Sequence, residues 1–393
     1  MTVSVVKKSV RDVIVSDLRR NAMIVALVIV VILFALLTNG VSLRSANISN
    51  LMVQNGYVLI LAIGMLMVIL GGHIDLSVGA IAGLVGAFSG VFAVSWGLPW
   101  GLAVVLSLMI GAAIGAFQGF CVAFVGVPSF IVTLAGMLTF RGLTLVVLQT
   151  QNIGSFPPGY RALGNGFLTN LLGEYAIDPV AMVIAAFAAL AVVVTAVRRR
   201  RGVIKHGRAP EPLFWFAAKQ VLIALAILAT GLALASYKGV PVILIVVAVL
   251  AVGYSVLTQR TAFGRHIYAL GGNRQAAALS GVQTKWVDFF LFVNMGVLSA
   301  LAGVVFTARL NLASPSNGSG FELEAIAAAF VGGAAVQGGY GTVGAVLIGG
   351  IIIGVLNNGM SILGLGTEWQ QTVKGLVLLA AVAFDILSKR RAA

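Results

Sequence analysis

Charge is scarce in this sequence. Of 393 residues, 9% are Asp, Glu, Lys or Arg, where a soluble domain carries about 25%. Hydrophobic residues make up 60%, and the mean hydropathy is +1.07. A chain so short of polar groups cannot cover a water-facing exterior, which excludes a soluble enzyme. Cysteine is reduced to Cys121, so no intrachain disulfide can form. The apolar stretches do not alternate with polar residues, which excludes a porin-type barrel. No G-x-x-x-x-G-K-[ST] segment occurs, so a P-loop for nucleotide hydrolysis is absent. No G-x-S-x-G occurs either. His73, His206 and His266 are far apart, with no Cys or carboxylate at metal-ligand spacing. No catalytic residue, metal or resident cofactor is expected.

What the chain does have is long apolar runs. With a window of roughly 19 residues they fall at 21–38, 51–70, 77–95, 101–125, 129–148, 179–197, 214–236, 240–257, 287–308, 323–336, 342–363 and 372–387. They lie end to end over 1–393, leaving no room for a soluble domain. The fold class is all-α: a polytopic helical membrane protein of about 10–12 spans. The run 323–336 is short, and the glycines after it leave room for a re-entrant turn. Let the chain start inside and each run cross once. Inside segments then hold 19 of the 25 basic residues, including Arg198 to Arg201, Lys205, Arg260, Arg265, Arg274 and Lys285. Outer loops hold Arg44, Arg161, Lys238 and Arg309, while Arg141 and Lys374 fall within runs. The bias of basic residues toward the cytoplasm places both termini there. It also explains the net charge of +14 through anionic membrane lipid rather than nucleic acid.

Glycine is plentiful, 48 of 393. Gly111, Gly115 and Gly119 share one helix face, where small residues let backbones pack closely. Gly332, Gly333, Gly338, Gly339, Gly341 and Gly344 fall between two runs and predict a break in the helix, as pathways through membranes require. Ionisable groups at membrane depth are few: Asp75, Arg141, Lys374 and Asp385. Asp75 has two readings, the N-cap of a helix from Leu76 or a pathway group. Amides are the other candidates for a polar path: Gln54, Asn55, Gln118, Asn294, Asn357 and Asn358. Each can instead bond a neighbouring helix. The substrate-pathway set is Gln118, Asn294, Asn357 and Asn358.

The longest informative inside segment is 258–286. It contains a short helix with Asn273 as N-cap and Gly281 as its stop, and its alanines make a smooth surface suited to a partner's groove. Here Gln275-Ala276-Ala277-Ala278-Leu279-Ser280-Gly281 resembles the EAA-x-x-x-G coupling segment of ABC importer permeases. TAFGRHIYALGGN with AAALSGV resembles the permeases of monosaccharide importers. So do NLMVQNGYVLILAIGMLMVILGGHIDLSVG, VPSFIVTLAGMLTFRGL, GGAAVQGGYGTVGA and TVKGLVLLAAVAFD, which together run from Asn50 to Asp385. The extra length at 154–236, with LNNGMS, is similar to xylose-type and multiple-monosaccharide permeases. Gln275 departs from the motif, which has Glu there.

The resemblance implies a single permease domain with its coupling loop at 258–286, in the bacterial plasma (inner) membrane. It implies monosaccharide import, with D-xylose or related pentoses and hexoses as substrate. It also implies an ABC ATPase that binds ATP in a separate subunit, an extracytoplasmic sugar-binding protein, and a second permease copy. Asn273, Gln275, Ala276, Ala277 and Gly281 would contact the ATPase. An ion-coupled sugar carrier and a membrane scaffold are the alternatives.

Overall fold

The computed structural model describes residues 22–169, 173, 175–207 and 211–390. Lys7, Lys8, Arg11, Arg19, Arg20, Arg208 and Arg391 lie outside the described residues, as does the side chain of Asp385. The helices are α1 Ala22–Leu37, α2 Ser45–Leu70, α3 Val78–Gly90, α4 Trp100–Phe120, α5 Ser129–Leu148, α6 Pro158–Asn165, α7 Pro179–Lys205 and α8 Leu213–Ala235. They continue with α9 Val242–Arg260, α10 Ala262–Gly272, α11 Arg274–Leu279, α12 Thr284–Leu310, α13 Phe321–Val331, α14 Val343–Ile362 and α15 Thr367–Arg390. Wide turns extend α3 through Ser95 and α4 through Val125. Among the described residues, nine helices are long and apolar enough to cross a bilayer. Arg198 to Arg201, Lys205, Arg260, Arg265, Arg274 and Lys285 gather at one end of the bundle, here termed the basic end.

The pattern of apolar residues decides which helix is central. From Val58 to Leu70, α2 is hydrophobic all round, and every one of those residues is buried. The apolar window of α2 is 89% buried, against 17% for α7, α8 and α9, which present their side chains outward. α2 packs against α12, α13, α14 and α9. The inserted stretch 154–236 forms α6 and the peripheral α7–α8 hairpin, whose first helix is capped by Asp178 accepting from the Val180 N–H. At the end opposite the basic one, Ile153–Gly154 pairs antiparallel with Leu312–Ala313, and Phe167–Leu168 with Val240–Pro241.

The glycine face of α4 meets α12 at backbone distance. A Cβ added at Gly115 would press on Phe292 O and Val293 Cα, and one at Gly111 on Gly296 O. Gly115→Val is expected to destabilise the fold by about 1–3 kcal/mol through overpacking. The thermal transition of detergent-purified protein checks this. Gly142→Ala, which faces open space, should leave it unchanged.

α13 is the expected broken helix. Its eleven residues rise only about 16 Å at 1.5 Å each. It starts beside Tyr57, half-way along α2, where Tyr57 bonds Glu324. It runs antiparallel to α14, with Glu324 beside Asn357 and Gly332 against Val346. The chain then leaves the helix and reaches the basic end, where Gly339 N–H donates to Leu70 O at 3.0 Å. α14 returns to the opposite end. Segment 321–342 therefore completes a passage instead of turning back, half as helix and half as glycine-rich coil. At the basic end three glycine pairs meet: Gly71–Gly72 after α2, Gly271–Gly272 closing α10, and Gly338–Gly339 in the break. A Cβ on Gly271 or Gly339 would strike the backbone of a neighbouring segment, and one on Gly338 would crowd it.

Candidate functional site

Starting α13 in mid-bundle places its first turn, with Glu322 and Glu324, at a depth where carboxylates are costly. The free N–H groups and dipole of a helix start favour negative charge there. Each acid also has its own cation. Arg141 NH2 of α5 donates to Glu322 Oε1 at 3.4 Å, and Lys374 Nζ of α15 donates to Glu324 Oε1 at 2.9 Å. Glu324 collects two further donors: Asn357 Nδ2 of α14 to Oε1 at 3.1 Å, and the Tyr57 hydroxyl of α2 to Oε2 at 2.8 Å. Side chains of three helices thus converge on one carboxylate of a fourth.

Around it lies a cavity of about 220 Å³, lined also by Gln54, Asn55, Arg309, Asn358, Ser361 and Gln370. That is below the roughly 300–1,000 Å³ of sites for drug-sized ligands and suits a small polar solute. Asn55 Nδ2 is held by Gly350 O at 2.8 Å, and Asn47 and Asn358 exchange amide hydrogen bonds at the rim. Asn357 Oδ1 is buried without a partner among the described residues. Amides, a phenol, a carboxylate and two cations give both donors and acceptors without any large apolar surface.

The four pathway amides do not form one site. Asn357 and Asn358 line the cavity. Gln118 is buried on α4 toward the basic end, where its Nε2 donates to Ser77 Oγ at 2.9 Å. Asn294 on α12 accepts from the Tyr254 hydroxyl of α9. Asp75 is not the N-cap: α3 starts at Val78 with Ser77 in the cap position. Asp75 Oδ1 instead accepts from the Ser77 N–H and hydroxyl two residues on, at 2.8 and 2.6 Å. The side chain is too early in the chain to reach the second or third N–H of the helix. Glu324, Tyr57 and Arg309 were missed by the sequence reading. The available signal was a pair of acids, Glu322 and Glu324, opening an otherwise apolar run.

A second surface lies at the basic end. α10 buries Gly264, Ile267 and Leu270, and the Tyr268 hydroxyl donates to Gly341 O at 2.6 Å. Burial pushes the Tyr268 phenol above its usual range, so it stays a donor. Asn273 caps α11, its Oδ1 accepting from the Ala276 N–H, and Gly281 leaves with φ +85°. Gln275, Ala276 and Ala278 are exposed, and Leu279 is 91% exposed. Ala277 is turned inward and buried, so it seats the helix on the protein instead of facing outward.

Comparison with known proteins adds sequence relationships. A family model described as branched-chain amino acid transport system / permease component matches residues 47–382. The xylose transport system permease protein of Haemophilus influenzae is 38% identical over 375 residues, covering 95% of this chain and 98% of that protein. Its Escherichia coli counterpart is 37% identical, covering 95% and 93%. The ribose import permease protein of Bacillus subtilis is 34% identical, covering 91% and 90%. No solved structure matches the chain.

Proposed function

The chain belongs to the family of transport-system permease components, and on that premise we propose that it is the membrane subunit of an ATP-driven importer of monosaccharides, D-xylose foremost. The observation that carries the reading to chemistry is the Glu324 cavity. Its donors and acceptors suit the hydroxyls of a neutral sugar. Identities of 37–38% to the xylose permeases, against 31–34% to ribose permeases and 32% to the D-allose permease of Escherichia coli, support D-xylose.

The remaining parts follow from the two ends of the bundle. The basic end faces the cytoplasm of a bacterial cell, by the bias of Lys and Arg in inner-membrane proteins. α11, with Leu279 exposed, docks a separate ATPase subunit that binds the ATP. A sugar-binding protein delivers substrate at the opposite end, and a second copy of the chain completes the pathway. Closure of the ATPase moves α11, and the permease passes between outward-open and inward-open states. Such coupling requires each partner to bind the two states with different affinity.

Reconstitution into proteoliposomes with the ATPase and binding protein tests this. ATP-dependent uptake of D-xylose is expected to exceed that of D-allose and D-ribose, and the chain alone should not hydrolyse ATP. Uptake by the chain alone, driven by an ion gradient, would establish the secondary-carrier alternative instead.

A further inference from the structure

Behind α11 lies a charged cluster that the sugar cavity does not use. Asp288 is on the second turn of α12 and wholly buried. Its oxygens are taken by two different segments. Oδ1 lies 2.9 Å from His73 Nε2, in the turn between α2 and α3. Oδ2 accepts from Arg274 NH2 at 2.5 Å, and Arg274 is the first residue of α11. His73 is also fixed by Phe292, whose ring centre is 5.6 Å from its own.

Besides this pair, α11 packs on the end of α10 and only slightly on α12. Within it only Ala277 is buried, while Leu279 projects away. A push on Leu279 therefore reaches α12 through the short connection 280–283 and, by side chain, through the Arg274–Asp288 pair. The same carboxylate, through His73, grips the turn that begins at the end of α2. There the Leu70 carbonyl receives Gly339 of the glycine break, which leads up to Glu324. We propose that Asp288 is a positioning residue that latches α11 to α12 and to the end of α2, so that movement of the docked ATPase is transmitted to the segment carrying Glu324. This rests on the reading of α11 as the ATPase-docking helix.

A buried carboxylate is a poor device for stability alone, because well-packed apolar groups of similar size often serve as well. Its strength is geometric: it bonds two directed donors from two segments at once. Loss of either bond leaves α11 attached through Ala277 and the chain connections, so docking survives while transmission slackens.

The experiment uses the reconstituted complex with Arg274→Gln, Asp288→Asn and Arg274→Lys. In the first two, the ATPase is expected to co-purify and hydrolyse ATP undiminished. Sugar moved per ATP should fall by about tenfold, with half-saturating sugar unchanged. Arg274→Lys, which restores a cation opposite Asp288, should recover most of the coupling. The latch is overturned if Arg274→Gln and Asp288→Asn both keep the normal ratio, or if Arg274→Gln releases the ATPase. Should Asp288→Asn fail to fold, the two Arg274 variants, lying in a loop outside the bundle, decide alone. Leu279→Arg reports separately: if it leaves the ATPase bound, the docking helix lies elsewhere, whatever the Arg274 variants do.

Discussion

Leu279→Arg is expected to strip the ATPase from the complex and to abolish sugar uptake with it. A leucine 91% exposed at the polar, basic end of a membrane protein has no lipid to cover it there. It contributes nothing to the fold, so its substitution leaves insertion and stability intact. Burying such a side chain in a partner's pocket is worth roughly 1.5–3 kcal/mol, which is about 10- to 150-fold in affinity at 1.4 kcal/mol per decade. An arginine forced into the same pocket without a partner costs more still. Co-purification of the ATPase from detergent extracts measures the first effect and vesicle uptake the second. Arg200→Ala is the control. Arg200 is also at the basic end, but there, on α7, it bonds Glu211 O and stacks on Phe216 of α8, within the peripheral hairpin. Retention of the ATPase by Leu279→Arg at the level of Arg200→Ala would sink the assignment.

Glu324→Ala is expected to be nearly as severe, through a different mechanism. The change strands Lys374 in a cavity that Arg309 also lines, and removes the acceptor of Tyr57 and Asn357. Breaking a buried ion pair by removing one partner costs about 3–5 kcal/mol. The lower end applies here, because Lys374 is 22% exposed and water screens it. The thermal transition should fall accordingly, and uptake should drop by about two decades if the lost contacts act on the solute during passage. Glu324→Gln with Lys374→Met removes both charges together. It should regain most of the stability and little of the transport. Recovery of both would make the pair a packing device only, and the sugar path would have to be sought elsewhere.

Much of the fold was legible because lipid simplifies the problem. Continuous apolar runs gave the helices, and the spacing of Gly111, Gly115 and Gly119 gave the close packing that α4 makes with α12. The glycines from 332 to 344 announced the break after Val331. The site was only half legible. Asn357 and Asn358 declared themselves as amides in an apolar run and do line the cavity, whereas Gln118 and Asn294 looked alike in sequence and bond neighbouring helices instead. Sequence shows that an amide needs a partner, not whether the partner is protein. Glu324 was passed over because averaging across 323–336 dilutes one acid among alanines. Ala277 was placed on the outward face of its helix because three alanines in a row carry no sign of which one faces inward. The structure turns Ala277 in and leaves Leu279 out. Ala277→Trp would thus unseat α11 from its own protein rather than jam a partner's groove.

The meeting of the glycine pairs at the basic end has a mechanical consequence. Where side chains separate two segments, a displacement of one is partly absorbed by rotamer changes, as in a spring. Between Gly271–Gly272, Gly338–Gly339 and the end of α2 there are no side chains to rotate, and the Gly339 N–H bonds the Leu70 carbonyl directly. Backbone rests on backbone, and peptide planes deform only at steep cost. The junction therefore has very low compliance. Displacements at the basic end therefore pass to the broken helix through backbone contact, while side-chain contacts on either side of the junction have rotamers free to absorb motion.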